Sequence, residues 1–311
     1  MTSSVAQTTE PITEVELRPR YEGANIGPWI GFKHVNYLVE EAVIAHFRAI
    51  GNDVRGLYAD HGLCWELVDI DTRIIHVFNL DEAVRLRVRP RPAADGALAY
   101  EVIIVADRAA GETKLARSRV TVVLREDSRW PSTRAAVPPE LASAVVPEIR
   151  RAAPESGFGA VAADTTARRS GASAFSWTFR IPYFYCHFTE RLQMSGYLRL
   201  MEEGVDRFLA DRGVSIRTLL DGGQLIPVVP RSRISMVGEA YMEEDLHVVL
   251  TVEDVFKNLT FTLGMRCHVQ RGATRVNVAT GAITHGYARL EDRASWGLSD
   301  LDPSLCRALA R

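Results

Sequence analysis

Hydrophobic positions along the chain follow two periods, and the switch from one to the other happens twice. Between residues 32 and 50, Phe32, Val35, Leu38, Val39, Ala42, Val43, Ala45 and Phe47 fall close to i, i+3, i+4, i+7 spacing, with Gly51 where a C-terminal cap would stand. The spacing predicts one long helix with an apolar face. Stretches at 64–69, 73–78, 83–89, 99–106 and 114–124 then read as strands, separated by turns containing Asp, Pro and Gly. Val84-Arg85-Leu86-Arg87-Val88 alternates strictly, the period of a strand with one wet face. After a polar interval the plan returns, with 194–210 helical, Gly213 behind it, and strands at 225–230, 232–237, 245–255, 259–270 and 275–290.

The two passages are copies of one another at a fixed offset of 162 residues: Tyr21, Asn25, Glu40, Glu41, Gly51 and Asp81-Glu82 recur as Tyr183, His187, Glu202, Glu203, Gly213 and Glu243-Glu244. A unit this long exceeds a solenoid repeat and is large enough to be a domain, so the chain reads as a fused dimer. The expected organisation is a flexible tail over 1–16, a first unit over 17–127, a linker with a short helix over 128–174, a second unit over 175–290 and a C-terminal helix within 291–311. Each unit ends in a proline-started helix, Pro138-Pro139-Glu140-Leu141 being echoed by Asp302-Pro303-Ser304-Leu305. A long helix wrapped by antiparallel strands, present twice, is an α+β arrangement. Fusion also lets the copies diverge. Where the first has Asn25 the second has His187, a side chain that moves protons near neutral pH.

Composition narrows the chemistry. The chain has 311 residues, 47% of them apolar, enough for two ordinary cores. A formal net charge of -2 with no dense Lys/Arg run argues against nucleic acid or an anionic membrane as partner. Cys64, Cys186, Cys267 and Cys306 are scattered without a CxxC pair, residues 1–10 hold no apolar leader, and no apolar run reaches the roughly 18 residues of a membrane span. These features suggest a cytoplasmic, reduced, metal-free protein. No GxSxG elbow, P-loop, dinucleotide fingerprint or HExxH occurs, and the acidic clusters Asp69-Ile70-Asp71 and Asp300-Leu301-Asp302 read as turns.

Tyr21-x3-Asn25-x13-Val39-Glu40-Glu41-Ala42 and Tyr183-x3-His187-x9-Tyr197-x3-Met201-Glu202-Glu203-Gly204 resemble the Tyr-x-Asp-x-Asp … Tyr-Leu … Phe-Glu-Glu-Ala signature of the 4-hydroxybenzoyl-CoA-type acyl thioesterases. The resemblance covers both copies and implies a double hotdog fold. It also implies an acyl-CoA or acyl-carrier-protein substrate, no cofactor beyond the CoA or phosphopantetheine that the substrate carries, and a monomer or homodimer. The family's catalytic Asp is replaced in both copies, by Asn25 as in the enediyne-polyketide thioesterases and by His187. Cys186-His187-Phe188, with Gly196 nine residues after the histidine, also resembles the β-hydroxyacyl-ACP dehydratases. Those place an acid fourteen residues after the histidine, where this chain has Met201, with Glu202 one place later.

The resemblance points to two loop-to-helix junctions, 25–32 and 187–196, where helix N–H groups would polarise a thioester carbonyl. His187 is the expected general base, Glu40 or Glu41 reaches it from the opposite helix, and N–H groups near Gly196 hold the oxyanion. Asn25 can donate but cannot accept a proton, so its junction is expected to be a weaker or lapsed site, approached by Glu202 or Glu203. Gln193 and Arg191 are candidates for substrate polar groups, Tyr21 and Tyr183 for core packing, and the strand arginines Arg85, Arg87, Arg89, Arg117 and Arg119 for a solvated face. The expected reaction is acyl-thioester hydrolysis. Dehydration of a β-hydroxyacyl thioester and non-catalytic acyl binding are the alternatives.

Overall fold

The computed structural model describes residues 11–93, 96–130, 134–152, 174–186 and 189–310. The first half runs β1 (Thr13–Leu17), α1 (Phe32–Ala49), α2 (Val54–His61), β2 (Leu63–Ile74), β3 (Val84–Arg91), β4 (Leu98–Arg108) and β5 (Gly111–Glu126), then a 3-10 turn at Pro139–Ala144 and β6 (Val145–Val146). The second runs β7 (Ala174–Arg180), α3 (Met194–Asp211), α4 (Ile216–Gly223), β8 (Leu225–Met236), β9 (Asp245–Phe256), β10 (Thr260–Arg271), β11 (Thr274–Leu290), β12 (Trp296–Ser299) and α5 (Pro303–Leu309). Each of α1, α2 and β2 begins 162 residues before α3, α4 and β8 respectively.

Both long helices end for the reason the sequence suggests, since Gly51 and Gly213 hold left-handed backbone at φ of 87° and 77°. The apolar face of α1, from Val35 through Val39, Val43 and Phe47, is fully buried against its sheet. The recurring acidic pair is a turn. Asp81 and Glu243 take positive φ, while Glu82 and Glu244 fold back to accept the N–H of Asn79 and Tyr241 and pair with Arg108 and Arg271.

The strands form one sheet in the order β1-β3-β4-β5-β2-β8-β11-β10-β9-β7, with β12 on β11 and β6 on β5. The halves meet where β2 pairs antiparallel with β8, from Asp69 opposite Ser235 to Arg73 opposite Arg231. Asp71 faces its own 162-offset counterpart, Arg233, so a pseudo-two-fold axis passes between them. Because pairing stops at Asp69 on β2 and at Arg231 on β8, residues 63–68 and 225–230 have no partner strand across the seam, and the two openings they leave matter for the site.

Several expectations are corrected. The strand expected at 64–69 runs on through 73 and 74 as one strand, β2, because Asp69 and Asp71 are not a turn: they pair across the seam with Arg233 and Arg231, and residues 75–78, expected as strand, lie beyond its end at Ile74. The stretches at 225–230 and 232–237 likewise fuse into β8. Pro230, which has no N–H to donate, stands where the β8–β11 register skips from Arg231 to Val228. The helix expected in the linker is a 3-10 turn followed by β6, and residues 153–173 lie outside the described set. No helix among the described residues is long and apolar enough to cross a membrane.

Candidate active site at the helix junctions

Each seam opening is covered by the loop that precedes the long helix of the other half, and the two loops have diverged. In the first, Trp29 packs with Ile226 and Ala288, with Ile26 and Val228 beside them, and Asn25 Nδ2 reaches the Pro227 carbonyl at 3.5 Å. In the second, position 191 replaces the tryptophan. Arg191 is only 2% exposed and donates to Glu66 of β2, 5% exposed, at 2.7 Å. Burial pushes the Glu66 carboxyl up while Arg191 opposes it, and the Cys64 thiol is raised by burial beside the same guanidinium. A second buried ion pair, Arg125 with Glu239 at 3.0 Å, joins Tyr241 and the Ile149 N–H next to it.

The helix ends show a matching asymmetry. At the start of α1, Lys33 pairs with Glu202 of α3. Transposed by 162 residues, that contact becomes Ser195 and Glu40. Serine is too short to make it, and the Ser195 hydroxyl is buried without a partner. Glu40 is half-buried and no described residue hydrogen-bonds to it. Desolvation, followed by the negative charges of Glu41 and Glu66, pushes its carboxyl up to about 7. At the start of α3, the Gly196 and Tyr197 N–H groups both go to the Gln193 carbonyl, which leaves those of Met194 and Ser195 as first-turn donors without a partner among the described residues. The sequence-predicted donors therefore lie one and two residues ahead of Gly196. The glycine itself makes room for the protein's own chain, since a Cβ there would meet Leu192 at 2.5 Å and Tyr185 at 3.2 Å.

The remaining candidates are placed as follows. His187 and Phe188 lie outside the described residues, and the dehydratase likeness that rests on them lies there too. Glu41 is exposed. Arg191 is not open to substrate as expected, because its guanidinium is committed to Glu66. Glu202 and Glu203 do not approach Asn25: the first is held by Lys33 and the second by Arg207, one helical turn on, at 2.7 Å. Gln193 is the N-terminal boundary residue of α3, half-buried and making no side-chain cap. Tyr21 and Tyr183 are not core residues but 82% and 74% exposed, each starting a 3-10 turn that projects from the junction. Among the strand arginines, Arg85 and Arg87 are tied to Glu14, Asp107 and Glu112, and Arg117 to Glu101.

Two open clefts of about 440 and 520 Å³ lie along the Leu225–Arg289 edge, the larger touching Gly27 and Trp29; neither is lined by Glu40. No group of three or more potential metal ligands occurs among the described residues. The Lys33–Glu202 pair is partly exposed, so Lys33→Ala is expected to change stability by no more than about 1 kcal/mol. Urea titration of the variant checks this. A loss of about 3 kcal/mol or more would mean that the pair is shielded from water in solution.

Neither a protein-family model nor a curated protein matches the chain. Solved structures do. A protein of Lactobacillus plantarum assigned as an oleoyl thioesterase superposes with a TM-score of 0.61 at 14% identity, covering 92% of this chain and 98% of that one. An acyl-ACP thioesterase from Bacteroides thetaiotaomicron gives 0.55 at 12% identity over 88% and 97%, and the 12:0-ACP thioesterase from Umbellularia californica gives 0.59 at 9% over 89% and 94%. The chain shares the fold of acyl-ACP thioesterases. At these identities the likeness is one of fold, and its coverage takes in both halves of the molecule.

Proposed function

We propose that the chain is an acyl-thioester hydrolase acting on an acyl-CoA or acyl-carrier-protein substrate, built as two tandem hotdog units at 17–127 and 175–290. The observation that carries the reading is Glu40, a half-buried carboxylate with no hydrogen-bond partner among the described residues and a proton affinity raised to about 7. By the pseudo-two-fold it lies opposite the first turn of α3. The fold shared with acyl-ACP thioesterases supports the same chemistry.

In this mechanism the thioester carbonyl lies at the start of α3, where the Met194 and Ser195 N–H groups and the positive end of the helix dipole face the charge that develops on oxygen. Glu40 takes a proton from water as the water adds to the carbonyl. With its carboxyl raised to about 7 it is ionised in about half of the molecules at neutral pH, and it is a stronger base than a solvated carboxylate. The tetrahedral intermediate then expels the thiolate, which takes back the proton held by Glu40, and the acid and the free thiol leave. At the first junction the counterpart of Glu40 is Glu202, which Lys33 holds, and Asn25 cannot accept a proton, so that junction has no free base.

The test is to incubate a panel of acyl-CoAs and acyl-carrier proteins with the protein and follow the products by mass spectrometry. Free acid with free thiol is expected. Loss of water with the thioester intact would establish a dehydratase instead, and bound ligand without turnover an acyl-binding protein.

A further inference from the structure

Beneath the first turns of α1 the seam holds a buried polar chain. The Asn36 amide N–H groups go to the Phe32 carbonyl at 2.9 Å, one turn back, and to Ser232 Oγ of β8 at 3.2 Å. Asn36 Oδ1 accepts from Thr72 Oγ1 of β2 at 2.7 Å, and Thr72 Oγ1 lies 2.8 Å from Ser118 Oγ of β5. A carbonyl can only accept, so Phe32 fixes the orientation of the amide, and because the one Thr72 hydroxyl proton goes to Asn36, Ser118 donates to Thr72. None of these four side chains belongs to a residue more than 3% exposed. In the other half the same places are apolar or bare. Under the 162-residue offset Asn36, Thr72 and Ser232 become Leu198, Ile234 and Ile70, all buried, and Ser118 becomes Gly281, the strand partner of Ile234. The chain therefore packs this geometry once without hydrogen bonds, and the polar version stands under the helix that carries Glu40.

We propose that Asn36, held by Thr72, Ser118 and Ser232, is the positioning residue for Glu40. The proposal rests on Glu40 being the base. Glu40 follows Asn36 by four residues, one turn along α1 and about 40° round it, so the two share a face of the helix. No described residue hydrogen-bonds to Glu40, so its carboxylate takes its place from α1 itself. That place matters relative to α3, which belongs to the other half of the chain. Asn36 supplies the matching tie: through Thr72 it joins α1 to a strand of its own half, and through Ser232 to β8 of the other. Apolar side chains hold a helix on a sheet yet tolerate small slides and rotations, whereas an amide bonded to Phe32, Thr72 and Ser232 has one seat. Seating matters because a misplacement of about 1 Å at a reacting group costs on the order of 10²-fold in rate.

The test compares kcat and KM for hydrolysis of an acyl-CoA by the wild type, by Glu40→Gln, and by a variant that imports the apolar set of the other half, Asn36→Leu with Thr72→Ile, Ser118→Gly and Ser232→Ile, made with and without Glu40→Gln. Thermal melts accompany each. The imported set is expected to fold about as stably as wild type and to lower kcat roughly tenfold with KM within about twofold. On the Glu40→Gln background it should lower kcat no further, because it acts through the side chain already removed. Thr72→Val and Thr72→Ser carry the same comparison if the fourfold variant does not fold. Valine keeps the shape and removes the hydroxyl, so kcat should fall about threefold, while serine keeps the hydroxyl and should hold the wild-type kcat. Wild-type kcat in the imported and valine variants, an equal loss with valine and serine, or a loss that adds in full to that of Glu40→Gln would overturn this proposal alone. Wild-type turnover by Glu40→Gln would overturn the assignment of the base and this proposal with it.

Discussion

Glu40→Gln is expected to lower turnover of an acyl thioester by 10²-fold or more, the range for losing a general base, while KM changes little. Glutamine keeps the size of the side chain and its place on α1, so the loss reports the missing proton acceptor. The same substitution has an opposite effect on stability, which separates chemistry from misfolding. Because the folded state holds the Glu40 proton up to about pH 7 against a reference of 4.5, the folded chain binds protons more tightly than the unfolded one. Stability is therefore fully present below the unfolded value and is lost as the pH rises through the folded one. Glu40→Gln removes that loss, so thermal melts should show the variant more stable than wild type at pH 8 and equal to it at pH 4. A carboxylate kept at a cost to stability is what a site under functional demand looks like.

Arg191→Ala is expected to destabilise the fold by about 3–5 kcal/mol, the largest effect of any single substitution at the junction. The reason is the partner left behind: Glu66 is buried, and without the guanidinium it stays in a low-dielectric setting with nothing to neutralise it. Without Arg191 to oppose it, burial pushes the Glu66 carboxyl further up, so the deficit should grow as pH rises and shrink as it falls. Urea unfolding of the variant at pH 5 and pH 8 measures this. A deficit under 1 kcal/mol at both would mean that the pair is not buried in solution. Arg217→Ala, which breaks the exposed Arg217–Asp221 pair on α4, is the contrast and should change little.

The long helices and the repeat were legible in the residues because a nineteen-residue apolar stripe capped by Gly51 has few other readings, and its copy at Gly213 repeats the evidence. The short helices α2 and α4 were not expected, although Asp53 and Ser215 cap them by accepting from Gly56 and Thr218. Eight residues are too few to show a period. Asp69 and Asp71 look like turn residues in isolation, and only the β2–β8 pairing supplies the arginines that make them strand residues. Tyr21 and Tyr183 were expected in the core because aromatic side chains carry large apolar area, but each starts a short 3-10 turn that projects outward.

At the site, Glu40 was legible as a charge on an otherwise apolar helix, and its raised proton affinity follows from that setting. Glu66 was missed. Its signal was present, a single acid inside Leu63-Cys64-Trp65-Glu66-Leu67-Val68, since a lone charge in a buried strand must find a counter-charge. The counter-charge is Arg191, 125 residues further along the chain, and only the crossing of the second loop onto β2 brings the two together.

The central claim is that the acyl thioester is hydrolysed by Glu40 at the start of α3. The measurement that tests it most directly is thiol release from an acyl-CoA by wild type and Glu40→Gln, followed side by side from pH 5 to pH 9. The wild-type rate should rise through an acid limb near pH 7, set by Glu40, to a plateau, with Glu40→Gln at least 10²-fold below that plateau. A wild-type profile without a limb near pH 7, or a Glu40→Gln rate equal to wild type, would contradict it.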